Sequence, residues 1–155
     1  MCLGSKASKT VLATGAFDIL HLGHVRFLEE SKKAGGRDAK LLVVVASDRT
    51  VTRRKGIAPV LPEEQRRRIV SSLKPVNQAI LGHEHLGFLW VLRKYRPDVV
   101  AFGHDQRDIQ KAFKKIIKRE RLPIKVVRIR RYGRRGFDSS TTVKKLVARS
   151  LTRRS

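Results

Sequence analysis

Short apolar runs alternate along the chain with longer segments in which apolar and charged residues are mixed. Five of these runs are rich in Val, Leu, Ile and Ala, a composition typical of buried β-strands. The predicted strands cover residues 9–15, 39–47, 77–82, 97–103 and 123–130. The run at 39–47 is almost continuously apolar, which indicates a central parallel strand that is covered on both faces.

Most of the intervening segments have the periodicity of amphipathic helices. In the segment 22–34 three apolar residues lie among Arg, Glu and Lys, and two glycines follow directly. Residues 62–74 open with a proline and two acids, which favours a helix start. Further helices are predicted at 86–96, 108–120 and 139–151. The segment 48–62 is polar and contains Gly and Pro, so it is predicted to be mostly loop.

Strands that alternate with helices predict parallel βαβ units. The sequence therefore predicts an α/β fold, a three-layer sandwich around a five-stranded parallel sheet. The chain has 155 residues, a length that suits one domain. We expect this domain to span residues 9–151, with flexible ends at 1–8 and 152–155.

Composition narrows the class of protein. No apolar run reaches the roughly 20 residues of a membrane span, and the first residues lack the apolar core of a secretory signal. The single cysteine excludes a disulfide within the chain. We therefore expect a cytoplasmic protein without a membrane partner.

The formal net charge of +23 has two explanations. A polyanionic ligand or a nucleic-acid partner would use it directly. Alternatively it reflects host adaptation, because one Asn, one Cys and one Met beside many charged residues resemble the amino-acid usage of thermophiles.

Basic and histidine-bearing loops follow the predicted strands. In a parallel sheet ligands lie at the carboxyl ends of the strands. Three of the loops carry histidines, two carry Arg and Lys, and the last leads into a helix that starts with hydroxyl residues. This edge of the sheet is predicted to bind anions.

Two histidines three positions apart follow the first strand. His24 lies at a predicted helix start, where backbone N–H groups favour phosphate, and Gly23 keeps the turn open. Together with His21, it can donate hydrogen bonds to charge that grows in a transition state. A metal site would need a third ligand such as Asp18 or Asp105. A purely structural role is the remaining alternative.

The chemistry that fits these residues is nucleotidyl transfer. In that reaction a phosphate monoester attacks the α-phosphorus of a nucleoside triphosphate, and pyrophosphate leaves. The attacking group is already an anion, so no general base is needed, and positioning with charge neutralisation supplies most of the catalysis.

The stretch GAFDILHLGH resembles the G-x-F-D-x-x-H-x-G-H signature of the HxGH nucleotidyltransferase superfamily. The late SSTT run and the arginine of PEEQRRRIV match two further hallmarks. Within the superfamily the chain is most similar to archaeal FAD synthetases, through KG, PEEQR, LKPV and GHDQ. Glycerol-3-phosphate cytidylyltransferases are the next most similar family. The resemblance implies a Rossmann-like nucleotidyltransferase fold.

The resemblance also implies an activity and a set of site residues. It implies transfer of AMP from ATP to FMN, giving FAD and pyrophosphate, with Mg²⁺ carried on the triphosphate. The implied catalytic residues are His21, His24 and Lys55. The implied nucleotide-binding residues are Gly15, Ala16, Phe17, Gly23, Arg66, Gly103, Asp105, Arg135, Ser140 and Thr141. No protein-held metal is implied.

Roles follow from the same resemblance. His21 and His24 would bind the triphosphate, and Lys55 would contact the attacking phosphate or the α-phosphate. Arg66 would bind substrate phosphate, and Arg135 would stand before the helix that begins at the SSTT run.

The other implied residues divide between the phosphates and the nucleoside. Backbone atoms of Gly15, Ala16 and Phe17 would lie near the phosphates. Ser140 and Thr141 would hold the β- and γ-phosphates. Gly103 and Asp105 would lie near the base and ribose.

Several alternatives stay open. Arg53 or Arg54 could replace Lys55, and Arg67 or Arg68 could replace Arg66, because neighbouring helical residues point in different directions. The His83–His85 pair could contact the acceptor, hold a metal or lie in a surface loop.

The acceptor and the class of activity are open as well. A flavin would need an apolar wall, for which the candidates are Phe17, Phe88, Trp90 and Phe102. CTP with glycerol 3-phosphate or another small alcohol phosphate is the rival reaction. A basic nucleic-acid-binding protein on the same fold is the rival class. A homodimer is possible.

Overall fold

The computed structural model describes residues 8–83, 87–132 and 139–152. The strands are β1 (Thr10–Gly15), β2 (Lys40–Val45), β3 (Gln78–Leu81), β4 (Val99–Phe102) and β5 (Lys125–Arg128). The helices are α1 (Leu22–Lys33), α2 (Asp48–Lys55), α3 (Glu63–Ser71), α4 (Gly87–Tyr95), α5 (Arg107–Arg119) and α6 (Ser140–Thr152).

The strands form one sheet in the order β3-β2-β1-β4-β5. Each neighbouring pair is parallel, and β1 lies in the middle, where Val11 is opposite Leu41 on one side and Val99 on the other. The predicted five-stranded parallel sheet is therefore confirmed. The predicted strands extend up to two residues beyond the observed ones at each end, because strand ends lose their ladder hydrogen bonds first.

Alternate residues of the strands build two separate cores. Val11 and Val43 belong to the core beneath α1 and α3, to which those helices contribute Leu28 and Val70. Leu12 and its neighbours on the other face pack with Val91, Leu92 and Phe113 of α4 and α5. This two-sided burial explains the continuous apolar run of β2 and gives the predicted three-layer sandwich.

The prediction that residues 48–62 are mostly loop is wrong for the first eight of them, which form α2. Ser47 caps this helix, since its hydroxyl accepts a hydrogen bond from Thr50 N at 3.2 Å. Asp48 lies in the first turn, three basic residues occupy the last turn, and Gly56 ends the helix with a left-handed φ of 71°. Caps and charges of this kind stabilise a short helix that lacks an obvious apolar stripe.

α6 differs from the other helices because none of its residues is fully buried. Its exposed apolar residues are Leu146, Val147 and Leu151. Within the described ranges, no helix is both long enough and apolar enough to span a bilayer.

Candidate active site

A cleft of about 570 Å³ opens at the carboxyl ends of β1 and β4. The strand order places the switch point of the sheet here, because the chain continues from β1 to β2 on one side and reaches β4 on the other. The lining residues are Thr14, Gly15, Ala16, Phe17, Asp18, His21, Gly23, His24, Phe27, Ala46, Thr50, Val51, Arg54, Lys55, Gly103, His104, Asp105, Gln106, Ile109, Arg130, Arg131, Tyr132, Ser139, Ser140 and Thr141.

The loop after β1 turns sharply at Phe17. This residue is 2% exposed and has a φ of 50°, a backbone conformation that is costly for a bulky side chain. Its ring lies directly over Gly15, where an added Cβ would come within 2.8 Å of the ring. Glycine is therefore needed at position 15 for the turn that brings the histidines into the cleft.

Asp18 fastens the same loop to two other segments. Its carboxylate accepts hydrogen bonds from Val60 N at 2.7 Å and Leu61 N at 3.0 Å, and pairs with Lys144 of α6 at 2.5 Å. Burial alone would raise the pKa of Asp18, but Lys144 and the two backbone N–H groups together lower it. The carboxylate therefore stays ionised and acts as an anchor for the loop.

The rings of His21 and His24 lie against each other at the N-terminal end of α1. His21 is the N-cap residue of this helix, and its side chain makes no capping hydrogen bond. The ring centroids of His21 and His24 lie 3.9 Å apart, and the ring of His24 also contacts Phe17 at 5.4 Å. The start of α1 and both imidazoles therefore face the same part of the cleft.

Burial, together with the charges of His21 and Lys55, lowers the pKa of His24 to about 3. His24 is therefore neutral at physiological pH and can donate one hydrogen bond. Its buried Nδ1 has no hydrogen-bond partner among the described residues. Lys55, the last residue of α2, is near enough for its charge to act on this ring, and it lines the same cleft.

Arg66 does not line the cleft but lies behind it. Its side chain is 0% exposed, and its guanidinium donates hydrogen bonds to Ala16 O, to Leu61 O at 2.9 Å and to Ala46 O at 2.9 Å. It also pairs with Asp48 at 2.6 Å. Arg66 therefore ties together the loops after β1 and β2, which differs from the substrate contact that the sequence resemblance implies.

Gln106 is a site residue that sequence reasoning did not single out. Its side-chain oxygen accepts a hydrogen bond from Gly103 N at 2.7 Å, and its side-chain nitrogen donates one to Thr14 O at 2.7 Å. These contacts join the carboxyl ends of β4 and β1 beside the cleft. The only available signal was its place at the end of the GHDQ stretch.

The start of α6 closes the cleft on the side of the β1 loop. Ser140 donates a hydrogen bond to Ile19 O at 3.1 Å, and both Ser140 and Thr141 line the cleft. With the Lys144–Asp18 pair, this contact attaches α6 to the loop that carries His21.

Of the four aromatic residues considered for a flavin wall, only Phe17 lines the cleft. Phe88 and Phe102 pack against Phe113 in the core, with ring centroids 4.1 and 5.1 Å away from it. Trp90 contacts His83 at 4.7 Å. Sequence reasoning missed Phe27 and Tyr132, which do line the cleft.

The structure thus brings eleven of the thirteen predicted site residues to one cleft. The two exceptions are Arg66, which lies behind it, and Arg135, which lies outside the described residues together with His85. His83 is described, but it is not part of the lining. Among the residues that the structure describes, no three His, Cys, Asp or Glu side chains are grouped so that they could hold a metal ion.

Residues 12–146 match the Cytidylyltransferase-like family, and the chain belongs to this family. A solved structure, described as the lipopolysaccharide core biosynthesis protein from Thermoplasma volcanium, superimposes with a TM-score of 0.72. It is 41% identical in sequence, and the match covers 81% of this chain and 98% of that one.

Two similar proteins are named FAD synthase. The FAD synthase of Methanopyrus kandleri is 48% identical over 139 residues, which cover 90% of this chain and 91% of that protein. The FAD synthase of Methanobrevibacter smithii is 46% identical over 140 residues, with 90% of each chain covered.

Proposed function

We propose that this protein is an FMN adenylyltransferase, which makes FAD and pyrophosphate from FMN and ATP. The observation that carries the proposal is the cleft, because it gathers two stacked histidines, a lysine and two helix starts, which are groups suited to binding a triphosphate. The choice of FMN and ATP rests on the similarity along most of the chain to proteins named FAD synthase.

The reaction is a displacement at phosphorus. A phosphate oxygen of FMN forms a new bond to the α-phosphorus of ATP, and the bond from that phosphorus to the bridging oxygen of the β-phosphate breaks. Pyrophosphate leaves with the electron pair. Because the nucleophile is already ionised, the side chains need only position the two phosphates and balance the negative charge.

The phosphate end of the cleft supplies most of the proposed catalytic groups. His21 and His24 hydrogen-bond the α-phosphate region as charge grows there, and Lys55 neutralises the attacking phosphate. The backbone at Gly15, Ala16 and Phe17 borders the same phosphates, and Gly23 contributes the open start of α1. Of these residues, Ala16, Phe17 and His21 lie on the loop after β1, which Asp18 fixes by the hydrogen bonds that it accepts from Val60 and Leu61.

The remaining residues hold the rest of the nucleotide. Ser140 and Thr141 hold the β- and γ-phosphates at the start of α6. Gly103 and Asp105 border the base and ribose, where an added Cβ at Gly103 would lie 3.0 Å from the Asp105 carboxylate. Mg²⁺ enters as part of the substrate, bound to the triphosphate. The proposal includes a cytoplasmic enzyme that forms a homodimer.

A product assay tests the proposal. The purified protein is incubated with magnesium, FMN and either ATP or CTP, and the flavins are separated by chromatography. A parallel reaction with glycerol 3-phosphate and CTP is followed by release of pyrophosphate. We expect FAD from FMN and ATP, with one pyrophosphate released for each FAD formed.

The His24→Ala variant serves as the inactive comparison and His83→Ala as the matched control, because His83 contacts Trp90 outside the cleft. Pyrophosphate released only with glycerol 3-phosphate would keep the nucleotidyl chemistry and overturn the choice of FMN. No pyrophosphate with either acceptor would contradict the proposed enzyme.

A further inference from the structure

One face of α5 carries a row of lysines that the proposed reaction does not use. Lys111, Lys114, Lys115 and Lys118 recur at the spacing that places residues on one side of a helix, and all four are exposed. On the opposite side Phe113 is fully buried against the sheet. We call these four residues the α5 lysine stripe.

No acidic side chain in the described part of the chain forms an ion pair with the stripe. Among the described residues no carboxylate lies within 4.0 Å of any of its four ammonium groups. The nearby Glu120 already pairs with Arg93 at 2.7 Å and Arg119 at 2.9 Å. Residues 87–132 contain fourteen Lys and Arg against four Asp and Glu, so this part of the chain concentrates positive charge.

The nucleotide cleft does not account for the stripe, because none of the four lysines lines it. α5 starts beside the cleft, where Ile109 contributes to the lining, and its later turns carry the lysines away from that edge. A triphosphate bound in the cleft would therefore leave the stripe free for a second anionic partner.

We propose that the α5 lysine stripe binds the phosphate backbone of duplex nucleic acid, as a function separate from catalysis. From Lys111 to Lys118 the stripe extends about 10 Å along the helix. A duplex presents about one negative charge per 1.7 Å of its axis, so several phosphates lie within reach of one stripe. Contacts of this kind depend on charge and carry no base specificity.

The composition of the face favours a duplex over two other polyanions. Single strands are bound mainly by stacking on aromatic side chains, and the sole aromatic residue of α5, Phe113, is fully buried. Membrane-surface helices insert apolar side chains, and among the described residues the exposed large hydrophobics all lie outside α5.

Binding of the full chain to labelled RNA and DNA duplexes of about 20 base pairs tests the proposal by fluorescence anisotropy. Salt is varied from about 50 to about 200 mM, and we expect affinity to fall steeply as salt rises. The variant K111Q/K114Q/K115Q/K118Q should bind at least 10-fold more weakly at about 0.1 M salt, with the log–log salt slope reduced by about three.

The matched control removes the same charge elsewhere. K9Q/R37Q/K40Q/K74Q replaces four exposed cations that do not line the cleft, and it should keep most of the affinity and the slope. Both variants should retain nucleotidyl transfer, and replacement of the four stripe lysines by arginine should retain duplex binding. If the glutamine variant fails to fold, K114Q/K118Q should give about half of the slope change.

Three results would overturn the proposal. The first is no duplex binding at about 0.1 M salt. The second is an equal loss in the two glutamine variants, which would assign binding to net charge alone. The third is stripe-dependent binding to vesicles of anionic phospholipid without stripe-dependent binding to duplexes, which would assign the stripe to a membrane surface.

Discussion

Burial keeps the imidazole of His24 uncharged at neutral pH. Its ring lies between Phe17 and His21, and this environment favours the uncharged imidazole. A neutral imidazole can still donate a hydrogen bond to an oxygen whose negative charge grows. His24 therefore suits the donor role that we propose for it.

Replacement of either histidine by alanine should lower kcat about 10²-fold or more. In the proposed mechanism the change removes a hydrogen-bond donor at the α-phosphate, while Phe17 still holds the loop. Steady-state kinetics of His21→Ala and His24→Ala, with thermal melts alongside, provide the measurement, and His83→Ala should behave as wild type. Near-normal kcat in both cleft variants would remove the role that we assign to the pair.

The lowered pKa of His24 makes stability depend on pH. In the unfolded chain this imidazole binds a proton below its ordinary pKa of 6.5, whereas in the folded protein it does so only near pH 3. The unfolded state therefore holds more protons in this window, and stability falls as pH drops below 6.5.

We expect the Tm of the wild type to decrease from pH 7 to about pH 4.5, with a shallower decrease in His24→Gln. Thermal melts followed by circular dichroism at several pH values measure both slopes. Equal slopes in the two proteins would show that His24 is not the group responsible.

The position of the Arg66 side chain is an example of what the sequence does not predict. The PEEQRRRIV stretch has three consecutive arginines, and sequence alone does not say which of them turns inward. The structure buries Arg66, while the side chain of Arg68 is 78% exposed. Likewise, apolar character alone does not say which of the four candidate aromatic residues lines the cleft, because that depends on the packing of distant elements.

Arg66→Lys should lower kcat by at least about 10-fold while the KM for ATP changes little. Lysine keeps the charge but cannot donate to Ala16, Ala46 and Leu61 together, so the two loops that carry catalytic groups lose their alignment. Arg68→Lys is the matched control and should be neutral. A rise in KM without loss of kcat would instead indicate direct contact with substrate.

Whole elements are easier to predict than single contacts where periodicity is strong. The apolar runs identify all five strands, and the helices that pack on the sheet follow from their amphipathic spacing. α2 was predicted as loop because its stabilising features are an N-cap, terminal charges and a glycine C-cap, none of which appears as an apolar stripe. The error matters because α2 is the element that carries Lys55 into the cleft.

The first two residues of α6, Ser140 and Thr141, line the cleft, whereas its later residues do not. Ser140→Ala combined with Thr141→Ala should raise the KM for ATP about fivefold, as expected for the loss of about 1 kcal/mol of phosphate anchoring. The matched control is Ser150→Ala, because among the described residues the Ser150 hydroxyl donates only within the helix, to Val147 O at 2.8 Å. An unchanged KM for ATP in the double variant would contradict the proposal that the start of α6 binds the β- and γ-phosphates.

At the scale of the whole molecule, topology and charge act together. The strand order places the β1 and β4 loops side by side, so residues far apart in sequence, such as Gly15 and Gly103, meet in one cleft. The net charge of +23 attracts anions in general, but it also opposes the compact state because like charges repel.

Added salt should therefore stabilise the fold. Screening shortens the range of the repulsion to about 8 Å at physiological ionic strength, so the Tm should rise between about 0.02 and about 0.3 M sodium chloride. The K9Q/R37Q/K40Q/K74Q variant carries less positive charge and should show a smaller rise. Differential scanning calorimetry of both proteins measures the effect. A Tm that does not change with salt would mean that local ion pairs already balance the excess charge, and the repulsion argument would then fail.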